Sequence, residues 1–258
     1  MILINGEALE EMAKLPDASI DALITDPPYG TTACKWDSVI PFEPMWAQLK
    51  RIIKPRGAIV LFGSQPFTSA LIMSNVEWFK YCWVWEKSRA SGHVHAKNKP
   101  MKKHEDIAVF SPGVTLHKGQ TENRMDYYPQ GVLDTKRVHF RPSGNKQDSG
   151  TVMTHRQSHR QSRIVRGENY PDTILNFPVI HNGDTVHPTQ KPVKLMEYLI
   201  KTYTLEGETV LDFTMGSGST IVAAKNTGRK GIGIELDPGY FDIAQKRVAA
   251  AVRQLEMF

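Results

Sequence analysis

Ile20-Asp-Ala-Leu-Ile-Thr25 runs straight into Asp26-Pro27-Pro28-Tyr29-Gly30, and that junction decides the fold. A short apolar run with β-branched residues, bounded by a turn signal, predicts a buried strand. Two consecutive prolines then fix φ and remove two backbone donors, so regular structure stops there. The turn falls at the carboxyl end of the strand, where open α/β sheets hold their ligands. What the corner offers is acceptors: the Asp26 carboxylate and the Pro27 carbonyl, placed to take both hydrogens of an amino group. Tyr29 adds a flat face for a planar ring. An ordinary Pro-rich strand-to-loop turn is the competing reading.

Outward from this junction the same rhythm recurs. Met1–Ile4, Gly57–Phe62, Tyr81–Trp85 and Ile107–Phe110 predict further strands, with helices over Ala8–Leu15, Pro44–Ile53 and Pro66–Asn75. From about Gly113 to Ile180 the rhythm gives way to Gly, Pro, Ser, Asn, Gln, His and Arg, a stretch too long for a simple connection. It returns as a helix over Pro192–Thr204, a strand over Thr209–Phe213, a helix over Thr220–Asn226, a strand over Gly231–Glu235 and a closing helix from Tyr240 to about Leu255. Seven strands alternating with helices predict an α/β fold, a mostly parallel sheet covered on both faces. The expected divisions are 1–112, an insertion over 113–180, and 181–258. Trp83 and Trp85 share one strand face; core packing is the default reading and a pocket wall the minority one.

A second constellation is Leu211-Asp212-Phe213-Thr214-Met215-Gly216-Ser217-Gly218-Ser219-Thr220, followed by Glu235. Strand, Gly-x-Gly turn and helix come in sequence, with an acid ending the next strand. Glycines admit a ligand close to the backbone, and the distal acid suits a ribose hydroxyl pair. A pyrophosphate-binding pattern would need a third glycine near Ala223, so a nucleoside-type cofactor fits better. A Gly/Ser turn common to any α/β protein is the alternative.

The net charge of +5 is unevenly spread: residues 87–166 hold 16 Lys/Arg against 6 Asp/Glu and seven of the nine histidines, leaving the remainder acidic. That segment suits a polyanion, because cations gain by releasing condensed counterions; a solvated charged loop is the alternative. No apolar run reaches the roughly 20 residues of a membrane span. Met1–Asn5 lacks the charged start and cleavage site of a signal peptide. With Cys34 and Cys82 far apart, the chain is expected to be cytoplasmic with ordinary thiols. His155 and His159 have helical spacing but no third ligand, so no metal is expected.

Taken together, these motifs resemble the β-class DNA amino-methyltransferases over nearly the whole chain. Asp26-Pro27-Pro28-Tyr29 matches the catalytic tetrapeptide, His187-Pro-Thr-Gln-Lys191-Pro192 the motif upstream of the cofactor loop, Asp212 with Gly216–Ser219 the S-adenosylmethionine loop, and Glu235 the ribose acid. The resemblance implies a Rossmann-like, seven-stranded, circularly permuted sheet with residues 113–180 as an inserted target-recognition region. It implies methylation of a flipped-out base in double-stranded DNA, with adenine N6 favoured and cytosine N4 the runner-up, since relatives acting on cytosine more often carry Ser at the position of Asp26. A restriction-modification role follows, and a homodimer is allowed.

The implied cofactor residues are Glu7, facing the cofactor adenine, Asp212, Phe213, Thr214, Gly216, Ser217 and Gly218 around its methionine moiety, and Ser219, Thr220 and Lys191 at its carboxylate. Ile234 and Leu236 flank Glu235 as candidate adenine contacts. The family loop usually reads Asp-Pro-Phe, whereas here it is Asp212-Phe213-Thr214, so an aromatic wall has to be built differently. Arg137, Arg141, Arg156, Arg160, Arg163 and Arg166 are the implied DNA contacts. Methylation of a glutamine side chain or RNA is a rival, but such relatives carry Asn first and place the cofactor loop upstream. A DNA-binding protein with a dead site needs a broken motif, and neither motif is broken.

Overall fold

The computed structural model of the chain describes residues 1–31, 37–115, 122–139, 163–180 and 190–252. In chain order the elements are β1 (Ile2–Asn5), α1 (Ala8–Ala13), β2 (Ile20–Thr25), α2 (Phe42–Ile52), β3 (Ile53–Gly63), α3 (Phe67–Met73), β4 (Phe79–Ser91), β5 (Lys102–Phe110), β6 (Leu133–His139), β7 (Arg163–Glu168), β8 (Ile174–Phe177), α4 (Val193–Tyr203), β9 (Thr209–Asp212), α5 (Ser219–Asn226), β10 (Lys230–Glu235) and α6 (Pro238–Ala250). Two compact units result: Met1–Tyr128 with Asp172–Phe258, and Pro129–Pro171.

The larger unit is built on one sheet of order β1-β10-β9-β2-β3-β5-β4-β8. Its neighbouring strands are parallel except for β5, which runs antiparallel to both β3 and β4. The sheet thus has eight strands rather than the expected seven. The addition is β8, which pairs from Val84↔Ile174 to Lys87↔Phe177 at the sheet edge. Of its four residues only Leu175 is buried, too little to show a period in the sequence.

Strand alternation sends successive side chains to opposite faces. Ala22, Ile24, Ala58, Val60, Phe62, Ile107 and Val109 pack with Leu195 and Leu199 of α4 and Ala223 and Ala224 of α5. Leu23, Ile59, Leu61, Ala108 and Phe110 pack on the other face with Met12 of α1, Leu49 of α2 and Leu71 of α3. Each fully buried leucine contributes roughly 1.5–3 kcal/mol of hydrophobic stabilisation. Trp83 and Trp85 belong to the first cluster, and their indole N–H groups donate to Tyr203 Oη (2.6 Å) and the Phe177 carbonyl (2.9 Å).

This layout fixes where a ligand can sit. From β2 the chain crosses over α2 to β3; from β9 it crosses over α5 to β10, in the opposite direction along the sheet. Right-handed crossovers then place α2 and α5 on opposite faces, leaving a crevice beyond the carboxyl ends of β2 and β9. Both sequence constellations begin at those two ends.

In the smaller unit β6 and β7 pair antiparallel, with Arg137 opposite Val165, Arg166 opposite Lys136 and Arg163 opposite His139. Arg141, Arg156 and Arg160, like His155, His159 and Cys34, lie outside the described residues. Among the described residues, no helix is long and apolar enough to cross a membrane.

Candidate active site

Thr25, the last residue of β2, ties the two strand ends together. Its Oγ1 donates to Asp212 Oδ1 at 2.6 Å, and Thr214 Oγ1 lies 2.6 Å away and donates to the Asp26 carbonyl at 3.2 Å. Thr214, a departure from the usual family loop, is therefore a link between the Asp26–Tyr29 corner and the glycine-rich loop. Phe213 beside it is buried in the core face with Leu23 and Leu211.

Beyond Thr25 the corner is held from two sides. Asp37 accepts the backbone N–H of Tyr29 (2.8 Å) and Gly30 (2.9 Å) on Oδ1 and that of Thr31 (2.9 Å) on Oδ2. Three charge-assisted bonds from one carboxylate orient the turn after two prolines that donate nothing themselves. On the other side, Asp26 accepts the Tyr29 hydroxyl on Oδ1 and the Lys191 ammonium on Oδ2. Lys191 also stands 3.3 Å from Glu105 Oε2 and 5.1 Å from the centre of the Phe62 ring, while Glu105 Oε1 is paired with Lys87.

The result is a chain of alternating charge, Lys87, Glu105, Lys191, Asp26, ending on the Tyr29 phenol, with Glu105 and Lys191 buried and the others partly so. Burial works to raise the Glu105 carboxyl, yet Lys191 and Lys87 hold it down to about 2. For Asp26, burial raises the proton affinity against the pull of Lys191, with Glu105 adding to the rise. Lys191 is kept charged because Asp26 and Glu105 outweigh its desolvation. Burial, then Asp26, push the Tyr29 phenol well above its ordinary range.

The glycine-rich loop is different in kind. Gly216 and Gly218 have φ of 52° and 80°, a region L side chains enter only at a cost; a Cβ on Gly218 would stand 3.0 Å from that of Ala244. Gly216 N–H donates to Glu235 Oε2 (2.8 Å) and Asp237 N–H to Oε1 (2.9 Å), fixing the Glu235 carboxylate at the rim. Arg247 of α6 grips the same loop, donating to the Ser217 carbonyl (2.6 Å), Ser217 Oγ (2.8 Å) and Ser219 Oγ (3.3 Å). Asp212, buried, is pushed up to about 6 by desolvation, against the Thr220 and Thr25 hydroxyls and the Thr214 amide. Among the described residues no cation pairs with it.

Both loops line one cavity of about 350 Å³, within the range of small-molecule and cofactor sites. Of the residues named from the sequence, Asp26, Pro27, Pro28, Tyr29, Glu7, Lys191, Asp212, Phe213, Thr214, Gly216, Ser217, Ser219, Thr220 and Glu235 border it, whereas Gly218 sits behind the loop against α6. Glu7 also caps α1, accepting the Glu10 N–H at 2.9 Å. Leu236 borders the cavity, while Ile234 faces the core. Lys191 borders it too, but its ammonium is engaged by Asp26 and Glu105. His187–Thr189 of its motif lie outside the described residues.

Among the described residues the lining brings five carboxylates, Glu7, Asp26, Asp37, Asp212 and Glu235, against one cation, Lys191. Such a cavity fits a ligand with positive charge, a nucleoside portion and little phosphate. Sequence reasoning missed Asp37, Glu105 and Arg247. Glu105 alone left a signal: it continues the alternation of Ile107 and Val109, a charged residue on a core-facing register.

The chain's likenesses agree with this geometry. It resembles the type II methyltransferase M.HpaI of Haemophilus parainfluenzae, 26% identical over 95% of this chain and 73% of that one. It resembles M2.DpnII of Streptococcus pneumoniae, 25% identical over 97% and 90%. Among solved structures the fold is shared with the M1.HpyAVI–SAM complex (TM-score 0.61, 23% identity, 96% of this chain and 98% of that) and with the cytosine-N4-specific PvuII DNA methyltransferase (TM-score 0.66, 15% identity, 95% and 85%). The family model of N6/N4 methyltransferases, described as DNA methylase, matches residues 20–246; the chain belongs to that family.

Proposed function

We propose that the protein methylates the N6 amine of adenine within a specific sequence of double-stranded DNA, using S-adenosylmethionine. The observation that carries this reading is the joining, through Thr25 and Thr214, of an amine-accepting corner to a glycine-rich, anionic cofactor loop around a single cavity. When bound, S-adenosylmethionine would supply a methyl group from a sulfonium centre: a nitrogen–carbon bond forms as the carbon–sulfur bond breaks, and the sulfur leaves as a neutral thioether.

The chain's residues do the rest. Asp212, carrying an unmet charge, holds the cofactor ammonium, and Glu235 its ribose hydroxyls, while the Gly216–Thr220 turn receives its carboxylate end. An aryl amine is a poor nucleophile because its lone pair is delocalised into the ring. Accepting its two N–H groups on Asp26 and the Pro27 carbonyl favours the pyramidal nitrogen that can attack. Asp26, whose proton affinity burial has raised, is placed to receive the proton that leaves the nitrogen as the N–C bond forms. Tyr29 stacks on the flipped base, an interaction worth about 1–3 kcal/mol. Base flipping itself is required because the duplex hides the amine.

The DNA is held by the basic stretch. Its described part in the larger unit is the β4–β5 hairpin: from Lys87 to His104 there is no acid, and residues 88–101 are exposed, Arg89, Lys97 and Lys99 among them. These contact phosphates, as do Arg137, Arg163 and Arg166 on the β6–β7 pair and Arg141, Arg156 and Arg160 between those strands in the sequence.

The test is to incubate the protein with tritiated S-adenosylmethionine and unmethylated duplex DNA and separate the digested nucleosides. Label in N6-methyldeoxyadenosine is expected. Label in N4-methyldeoxycytidine would overturn the target base, and unlabelled DNA would overturn the activity.

A further inference from the structure

Both oxygens of Asp26 are engaged within the protein: Oδ1 by the Tyr29 hydroxyl and Oδ2 by the Lys191 ammonium. An ammonium on a carboxylate draws away the charge that a weak donor such as an aryl amine must share. The corner therefore needs a place for Lys191 to put its charge while the amine is bound. A buried ammonium cannot simply be released, because an unpaired charge is costly away from water.

The structure holds such a place. Glu105 Oε2 is buried, lies 3.3 Å from Lys191 Nζ as an ion pair and has no hydrogen-bond donor among the described residues. Its partner oxygen is fixed by Lys87, so the acceptor cannot swing away. Glu105 stands opposite Trp85 in the β4–β5 register, on strands locked into the core by Trp83, Trp85, Ile107 and Val109. Movement of the Lys191 ammonium from Asp26 toward Glu105 exchanges one ion pair for another with no change in net charge.

We propose that Glu105 is a positioning residue for the methyl transfer: it takes over Lys191 when the target amine occupies Asp26. This rests on the amine-methylating reading above. Without the Glu105 charge, Lys191 stays clamped on Asp26 and competes with the amine. The groups facing this pair are Lys87, Lys102, Lys191, Asp26, Tyr29 and Asp106. Removing one negative charge from among them also lowers the proton affinity of Asp26.

The test uses the whole 258-residue chain with saturating duplex DNA and S-adenosylmethionine under steady-state conditions. Glu105→Gln is expected to lower kcat about 10- to 100-fold with affinities for S-adenosylmethionine and DNA within about threefold of the original, and to move the acid limb of the kcat profile to lower pH. Adding Lys191→Gln to Glu105→Gln is expected to recover part of the lost kcat, since the clamp is gone. A folded Glu105→Gln protein with unchanged kcat and acid limb would overturn the proposal, as would a double variant no faster than the single one. In the original protein, the 15N signal of Lys191 Nζ is expected to shift when duplex DNA binds; a signal that stays in place would overturn the proposal whatever the variants do. Failure of the original protein to methylate DNA at all would instead overturn the reading on which the proposal rests.

Discussion

Asp26 follows β2 and Asp212 ends its parallel neighbour β9; Asp212 is buried and the Asp26 side chain is 17% exposed, yet their surroundings are opposite. Asp26 meets an ammonium on one oxygen and a phenol on the other. Asp212 meets only hydroxyls and one backbone amide, and its charge is unanswered among the described residues. The difference teaches what each is for. On the proposed function, Asp26 receives a neutral amine as Lys191 turns to Glu105, and the nearby ammonium keeps stray cations away. A carboxylate left hungry, at the floor of a cavity rich in acids, is prepared for a cationic ligand whose arrival relieves a cost already incurred on folding.

This contrast can be broken at several points. The largest effect is expected at the corner: Asp26→Ala lowers the rate of methyl transfer by about 10³-fold, on the scale of losing a principal transition-state acceptor, in an assay of tritium transfer to duplex DNA. Full activity in that variant would remove Asp26 from the mechanism.

A smaller effect is expected from pH. Since Asp212 titrates at about 6 and only its ionised form attracts an ammonium, S-adenosylmethionine binding weakens as pH falls through 6. About a tenfold loss is expected at pH 5 relative to pH 7.5, measured by calorimetry, and a flat profile in Asp212→Asn.

The same shift bears on stability of the ligand-free protein. The folded-state value lies above the ordinary 3.8, so the folded state binds the proton more tightly. Its contribution is fully present below about pH 4 and is lost as pH rises through about 6. Asp212→Asn is therefore expected to stabilise the ligand-free protein by about 2–3 kcal/mol at pH 8 and by much less at pH 4, checked by urea unfolding at both values.

An effect of similar modest size is expected at Gly218. Gly218→Ala forces an L residue to φ of 80° against Ala244, costing about 1–2 kcal/mol, seen in the unfolding midpoint and in weaker cofactor binding with the corner's chemistry intact.

How much of this was legible in the sequence follows from the range of the forces involved. The two strand–turn junctions were legible because proline, glycine and a run of apolar residues act locally: Ile20–Thr25 holds its predicted bounds, and the helices at Ala8, Phe67 and Val193 start within a residue of expectation. Strand β8 was not, because its four residues gain their place from pairing with β4 rather than from their own pattern. Asp37 and Arg247 carry no local signature either: Asp37 is defined by the backbone of the turn six to eight residues before it, and Arg247 by the Ser217 loop it meets across the fold. Lys191 was visible as part of a motif, but its neighbours were not: Glu105 is 86 positions away in the chain and 3.3 Å away in the fold.

The division of labour between the two acids is tested most directly by titrating S-adenosylmethionine, by calorimetry at pH 7.5, into Asp26→Asn and Asp212→Asn side by side. The account predicts affinity within about threefold of the original for Asp26→Asn and a loss of about 10- to 100-fold for Asp212→Asn, the scale of a hydrogen bond to a charged group. Equal losses in the two variants, or a larger loss for Asp26→Asn, would contradict it.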